Sequence, residues 1–259
     1  MDFRNRTALI TGASGGIGEE FAHQLSGLGA NLVLVARRAD KLEDLRATLL
    51  RSTPGVTIDV IAADLSVPGS GAQLFDQIQQ LGRHVDILIN NAGVGSYGRF
   101  AELDPEALTA QIQLNCGTLV DLTARFLPPM IKAGNGLVLN VASTAAFQPT
   151  PTMAVYGATK AFVLSFTEAL WQETKGTGVR VLALCPGATE TEFFARTGKQ
   201  FMTRGRQTSR QVVDTALAAV DRSGPTVVSG LVNTVLAAGA RLLPGRLLAP
   251  VSQRIMKES

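Results

Sequence analysis

Short apolar stretches alternate with helix-period segments at least six times along this 259-residue chain, a rhythm that few folds accommodate. RTALI (6–10) precedes GGIGEEFAHQLSGLGA (15–30), where Ile17, Phe21, Leu25 and Leu28 recur at three- and four-residue spacing. NLVLVA (31–36) lacks polar alternation, as expected of a strand buried on both faces. DKLEDLRATLLRS (40–52), VTIDVIAAD (56–64), AQLFDQIQQL (72–81) and VDILIN (85–90) continue the pattern. PEALTAQIQLNCGTLVDLTARFLPPM (105–130) predicts one long helix closed by Pro128 and Pro129. GLVLNVAS (136–143), VYGATKAFVLSFTEALWQET (155–174), VRVLALCPG (179–187) and PTVVSG (225–230) complete the series. Right-handed crossovers between parallel strands then stack helices on both faces, giving a doubly wound α/β fold. No polar or Pro/Gly-rich linker divides the chain, so residues 1–259 read as a single domain.

Such folds bind ligands at the carboxyl ends of their strands, and the conspicuous polar residues fall there. TGASGGIG (11–18) follows the first strand and opens a helix. Gly12, Gly16 and Gly18 suit a tight turn against a pyrophosphate, with Ser14 and Ile17 beside them and helix N–H groups aimed at the anion. The second strand ends in VARR (35–38), where an acid would select the free ribose hydroxyls of NAD. Arg37 and Arg38 suit a 2′-phosphate instead, so NADP(H) is expected in preference to NAD(H). Asp64 ends the third strand, to accept from an adenine amino group or to serve a turn, with Leu65 beside the ring. NNAG (90–93) ends the fourth: Asn90 and Asn91 offer polar groups, and Ala92 and Gly93 let backbone run against the nucleotide.

The fifth strand ends at Ser143, and YGATK (156–160) starts a helix. Tyr156 and Lys160 are one turn apart, on one face. The ammonium is expected to lower the phenol pKa. Tyr156 then reads as a proton donor to a carbonyl oxygen, Ser143 as its second hydrogen-bond donor, and Lys160 as the group holding ribose hydroxyls. Asn115 sits at an unfavourable helix-interior position, where it could hold a water contacting Lys160.

The ordered set TGASGGIG, Asp64, NNAG, Asn115, Ser143, YGATK and PG (186–187) resembles the classical short-chain dehydrogenase/reductase family over roughly residues 5–192. That resemblance implies a Rossmann-type, mostly parallel sheet of about seven strands and assembly as a homodimer or homotetramer. It implies catalytic roles for Asn115, Ser143, Tyr156 and Lys160, and cofactor contacts near Pro186 and Gly187. Thr191, or its neighbour Thr189, would meet the cofactor amide. The expected activity is hydride transfer between nicotinamide and a ketone, 3-oxoacyl or other lipophilic carbonyl, or the matching secondary alcohol. A non-catalytic NADP-binding regulator, or an epimerase or dehydratase on the same fold, is the alternative.

Composition excludes several other classes. The 24 basic and 21 acidic residues leave a formal charge of +3, and no nucleic-acid-binding module is present. Cys116 and Cys185 sit among apolar residues and read as buried free thiols, and no metal-ligand set occurs. His23 and His84 lie far from the strand ends that carry the site. MDFRNRTALI has no apolar run before its charges end, so a cytoplasmic location is expected.

Two segments extend the pattern. Residues 192–211 read as a substrate-covering loop, with Phe193, Phe194, Phe201 and Met202 as lining candidates. Arg196, Lys199, Arg204, Arg206 and Arg210 either meet solvent or receive a charged substrate group. Residues 231–259 depart from the family's usual ending, with an apolar stripe at Leu231, Val235, Ala238 and Leu242. A subunit contact, a wall of the substrate pocket and a peripheral membrane contact are the three uses this stripe suggests.

Overall fold

Seven strands form one parallel sheet in the spatial order 3-2-1-4-5-6-7. In chain order they are β1 (Thr7–Thr11), β2 (Asn31–Ala36), β3 (Ile58–Ala62), β4 (Ile87–Asn90), β5 (Gly136–Val141), β6 (Val179–Cys185) and β7 (Thr226–Val228). The computed structural model describes residues 1–193, 206–222 and 224–257. Every strand pairing is parallel, where the sequence predicted mostly parallel.

Helices cover both faces. On one lie α1 (Gly16–Gly27), α2 (Ala39–Ser52) and α7 (Ser209–Ala219); on the other lie α3 (Ser70–Gln80), α4 (Pro105–Ile112), α5 (Thr118–Ala133) and α6 (Ala154–Glu173). Period-two alternation along β1 sorts the core between these layers. Ala8 and Ile10 pack with Phe21, Leu25, Leu42 and Val212, while Leu9 packs with Leu74, Ile78, Leu122 and Phe126. Apart from Ala8, each of these buried side chains contributes about 1.5–3 kcal/mol over leaving it in water. Of the face predicted for α1, Phe21 and Leu25 are buried, whereas Leu28 follows the helix and is exposed.

The predicted long helix over 105–130 is three pieces. A π-helical segment, Gln113–Gly117, separates α4 from α5, and it carries Asn115. Pro128 and Pro129 lie inside α5 rather than closing it. Pro128 and Ala124, whose carbonyl loses its helical partner there, are both exposed, so water can satisfy that group. Burial of Met130 carries the helix past the prolines, and Gly134 ends it with a φ of 65°.

β1 lies between β2 and β4, so the chain winds outward to β3 and then returns across β1. The connections leaving the carboxyl ends of β1 and β4 run in opposite directions there, opening the crevice that holds the site. After β7, α8 (Leu231–Leu242) and α9 (Gly245–Lys257) run back over that same end.

Candidate active site

Thr11, the last residue of β1, organises the floor of the crevice. Its hydroxyl accepts from the backbone N–H groups of Asn91 and Ala92, each at 3.0 Å, and donates to the Ile89 carbonyl at 3.2 Å. Asn91 Nδ2 donates back to the carbonyls of Thr11 at 2.9 Å and Gly12 at 3.3 Å. Two strand ends are thereby locked together beneath the glycine turn. Gly12 has a φ of 69°, and a Cβ there would lie 2.8 Å from Asn91 Nδ2. Gly18 is packed behind the turn, where a Cβ would strike the Gly12 carbonyl; it shapes the turn without lining the cleft. Gly15 precedes α1 and caps it with no side chain, leaving the first-turn N–H groups for a ligand.

Asn90 does not face the crevice. Its Nδ2 donates to Thr123 Oγ1 at 3.0 Å and Asn140 Oδ1 at 2.9 Å, and Asn140 passes the chain to Thr167 at 3.0 Å. This buried network ties β4 and β5 to α5 and α6, which is a scaffold role.

Arg38 reaches over the turn and donates from Nη2 to the Ser14 carbonyl at 2.9 Å and the Ser14 hydroxyl at 3.2 Å. It also pairs with Glu192 at 3.0 Å. Arg37 is more exposed and stands 3.9 Å from Asp64. Asp64 closes a turn, its Oδ1 accepting from the Ser66 N–H at 2.9 Å and the Ser66 hydroxyl at 2.6 Å. The Ser66 hydrogen bonds hold its carboxyl below the ordinary aspartate range, with a smaller push from Arg37. Leu65 is buried, and its carbonyl accepts from Thr118 at 2.7 Å.

Tyr156 and Lys160 come from the first two turns of α6, as their spacing requires. Lys160 is 5% exposed, and its Nζ donates to the Val141 carbonyl at 2.7 Å. That Nζ lies 5.8 Å from the Tyr156 ring centre. The expectation of a lowered tyrosine pKa is not met. Burial pushes the phenol up to about 12, with a hydrogen bond from Ser143 offsetting part of the rise. The same burial pushes the Lys160 ammonium down to about 8. Desolvation is the largest cause of both shifts.

Asn115 is 1% exposed and does not line the cleft. Its Oδ1 accepts from the Val94 N–H at 3.0 Å, while its Nδ2 donates to the Val94 carbonyl at 2.9 Å and Thr159 Oγ1 at 3.0 Å. Its side chain clamps the 93–95 backbone against α6, where the sequence suggested that it holds a water. Thr159 completes the clamp by donating to the Tyr156 carbonyl at 2.8 Å.

These groups border one cleft of about 800 Å³. Gly12, Ser14, Gly16, Ile17, Arg37, Arg38, Asp64, Leu65, Asn91, Ala92, Gly93, Ser143, Tyr156, Lys160, Pro186, Gly187, Thr189 and Thr191 all line it, so the sequence-predicted set converges apart from Gly18 and Asn115. Thr191 stands over Gly16, and Thr189 turns back on the Gly187 carbonyl at 3.0 Å.

The order of these residues, and the chain that carries them, match a family model described as short chain dehydrogenase over residues 6–201. The chain belongs to that family. It is 34% identical to an uncharacterised oxidoreductase of Staphylococcus epidermidis, over 84% of this chain and 91% of that protein. A short-chain dehydrogenase from Sphingobium yanoikuyae, solved in complex with NADPH, superposes with a TM-score of 0.83 at 35% identity, covering 92% of this chain and 94% of that one. A bulky-bulky ketone specific alcohol dehydrogenase from Comamonas testosteroni superposes with a TM-score of 0.77 at 34% identity, covering 92% and 93%.

As a short-chain dehydrogenase the protein is a nicotinamide-dependent oxidoreductase, and its residues fit that cofactor. The turn at Gly12 has no side chain to exclude a pyrophosphate, and the start of α1 is uncapped. Lys160 spends one proton on Val141 and lines the cleft with the others available to ribose hydroxyls.

Beyond the cofactor half, the cleft wall is apolar. Phe147, Met153 and Phe193 face it, with the Phe193 and Tyr156 ring centres 5.2 Å apart. Phe194, Phe201, Met202, Arg196, Lys199 and Arg204 lie outside the described residues. Helices α8 and α9 supply Leu236, Ala237, Ala240, Leu248 and Val251 to the same wall, and Leu243 joins it from the turn between them. The tail is thus a wall of the pocket, the second of its three expected uses. Buried Ala237 and Ala240 and exposed Val235 and Leu236 line it from α8, while Leu231, Ala238 and Leu242 of the predicted stripe are exposed and do not.

Three contributors escaped the sequence reading. Thr11 and Thr159 act through hydroxyls beside motif residues, and their adjacency to Gly12 and Lys160 was the available signal. Asn233, packed on Gly187 and donating to the Ser229 carbonyl at 2.7 Å, carried none.

Proposed function

We propose that the protein reduces bulky lipophilic ketones or 3-oxoacyl-type carbonyls, using NADPH in preference to NADH. The observation that carries this reading is Tyr156: a half-buried phenol beside Ser143, at the junction of a nucleotide cradle and an apolar wall. Arg38 over Ser14, with Arg37 beside it and no acid at the end of β2, supports a 2′-phosphate. The NADPH complex of the Sphingobium relative and the bulky-ketone specificity of the Comamonas relative support the two halves.

A bound reduced nicotinamide supplies the hydride that the carbonyl carbon receives. Tyr156 gives its phenolic proton to the carbonyl oxygen as negative charge develops there. With its pKa at about 12, the phenol is fully protonated and ready to donate at neutral pH. The Ser143 hydroxyl donates to the same oxygen and orients it. The Lys160 ammonium stabilises the tyrosinate left behind, which solvent reprotonates. Asn115 is a positioning residue, fixing Val94 and, through Thr159, the first turn of α6.

Kinetics on a ketone series graded by size, with NADPH and NADH in parallel, test this. Bulky ketones with NADPH should turn over best, and Tyr156→Phe should lower kcat about a thousandfold while leaving NADPH affinity unchanged. Retained turnover in that variant, or a preference for small polar carbonyls, would overturn the proposal.

A further inference from the structure

The outer surface of α8 and α9 has no role in the chemistry above. Leu231 is 81% exposed and Leu242 84%, and they share a face with Val235. Val232 and Leu236 flank that face, and Leu247 and Val251 are exposed on α9. Val235, Leu236, Leu243 and Val251 are exposed and also line the cleft, so the exposed apolar side chains of these helices reach its mouth. Isolated exposed leucines need no explanation, but a contiguous set of this kind does.

Charge decides what covers it. No Asp or Glu occurs between Leu231 and Lys257, whereas Arg241, Arg246, Arg254 and Lys257 do. Arg241 is matched by Glu168 of α6 at 2.8 Å, while Arg246 and Arg254 are exposed on α9. A two-fold contact between copies sets the same patch against itself. It would bring together two segments that each carry four basic residues against a single acid, Glu258. An anionic lipid surface supplies both an apolar layer and the opposite charge. Among the described residues no helix is long and apolar enough to cross a membrane, and helices of 12 and 13 residues suit lying in its interface.

We infer that α8 and α9 form a docking surface for anionic lipid, holding the mouth of the cleft against the bilayer. The docking itself does not depend on the proposed reaction; delivery of a lipophilic carbonyl from the bilayer into the cleft rests on that reading.

Flotation of the full chain with vesicles separates the two. The protein should float with equimolar phosphatidylcholine and phosphatidylglycerol, and far less with phosphatidylcholine alone. A basic side chain near an anionic surface contributes about fivefold, so Arg246→Gln with Arg254→Gln should weaken that binding about thirtyfold. Leu231→Ser with Leu242→Ser should weaken it about tenfold or more on both compositions. Neither pair lines the cleft, so turnover of a water-soluble ketone and NADPH affinity should be unchanged, which also reports that the variants fold. Failure of the native chain to bind the anionic vesicles would overturn the inference. A serine pair that lowered the mass in sedimentation, with vesicle binding intact, would do so too by assigning the patch to a second copy. Loss of ketone turnover in the native chain would count against the redox reading alone.

Discussion

At the nucleotide end of the cleft, Thr11, Asn91 and Asn115 bind the walls to one another through backbone N–H and carbonyl groups, all close to 3 Å. At the substrate end, α8 and α9 close the cleft with two buried alanines on α8, the Arg241–Glu168 pair and a guanidinium 4.9 Å from the Phe147 ring centre. The first arrangement holds its walls by several hydrogen bonds to backbone. The second holds a helix pair by a narrow buried edge and leaves its wide apolar face outside. A hydride must arrive at a set angle and distance whatever the substrate, so rigidity belongs at the cofactor end. Shape at the other end can then vary without disturbing the chemistry.

Rigidity of that kind has a cost, which Lys160 exposes. Burial pushes its pKa from 10.5 down to about 8, a displacement equivalent to about 3 kcal/mol. The folded chain loses this proton earlier than the unfolded chain. Between pH 8 and 10.5 the unfolded state therefore binds more protons, and stability rises with pH. Below pH 8 the whole penalty is present. Lys160→Met removes it but leaves the Val141 carbonyl without its donor, at about 1 kcal/mol. Urea unfolding without cofactor should show the variant about 2 kcal/mol more stable at pH 7, with the gain gone above pH 10.5 and turnover abolished. A variant less stable at both pH values would mean that the ammonium is compensated where it sits.

The cofactor end was also the more legible end. Strand rhythm, the glycine turn and the Tyr156–Lys160 spacing each follow from rules that act over a few residues, and sequence expresses such rules directly. What they could not express was competition between elements. Tyr156 beside Lys160 predicts a lowered phenol pKa, but Phe193 packs on the phenol and Val141 covers the ammonium, both distant in sequence, so desolvation wins. Asn115 looked like a water-holding group because Val94, its actual partner, is 21 residues away. Asn90 and Asn91 read alike as neighbours, yet successive residues of a strand face opposite ways, and one of them joins the core. In the tail, the period of the leucines identified a helix but not which side of it would be buried. The sheet end offered a narrow gap, and alanines rather than leucines fit it.

The boundary between the two regions lies near Arg38, which touches the glycine turn through Ser14 and the start of the 192–211 segment through Glu192. If its guanidinium receives the 2′-phosphate, Arg38→Ala should raise KM for NADPH about tenfold and leave that for NADH unchanged. Glu192 competes with the phosphate for the same donors, so Glu192→Gln should shift NADPH affinity the other way. Equal losses with both cofactors in the arginine variant would make Arg38 a strut of the turn instead of a reader of the phosphate.

The smallest effect should come from the tail wall, and its smallness is what sharpens the contrast. Leu236 lines the cleft yet is 65% exposed, so a substrate covers only part of it. Leu236→Ser should raise KM for a bulky ketone about fivefold, within the range that one or two lost apolar contacts account for. Turnover at saturation should hold, because Tyr156, Ser143 and Lys160 are positioned by α6 and β5 and not by α8. A small ketone that never reaches the wall should be indifferent to the change. A fall in kcat instead, shared by small and large ketones, would mean that α8 transmits its position to the reacting groups through Phe147 and the turn after Ser143. The two ends of the cleft would then be one mechanical unit, and the freedom ascribed to the substrate end would be lost.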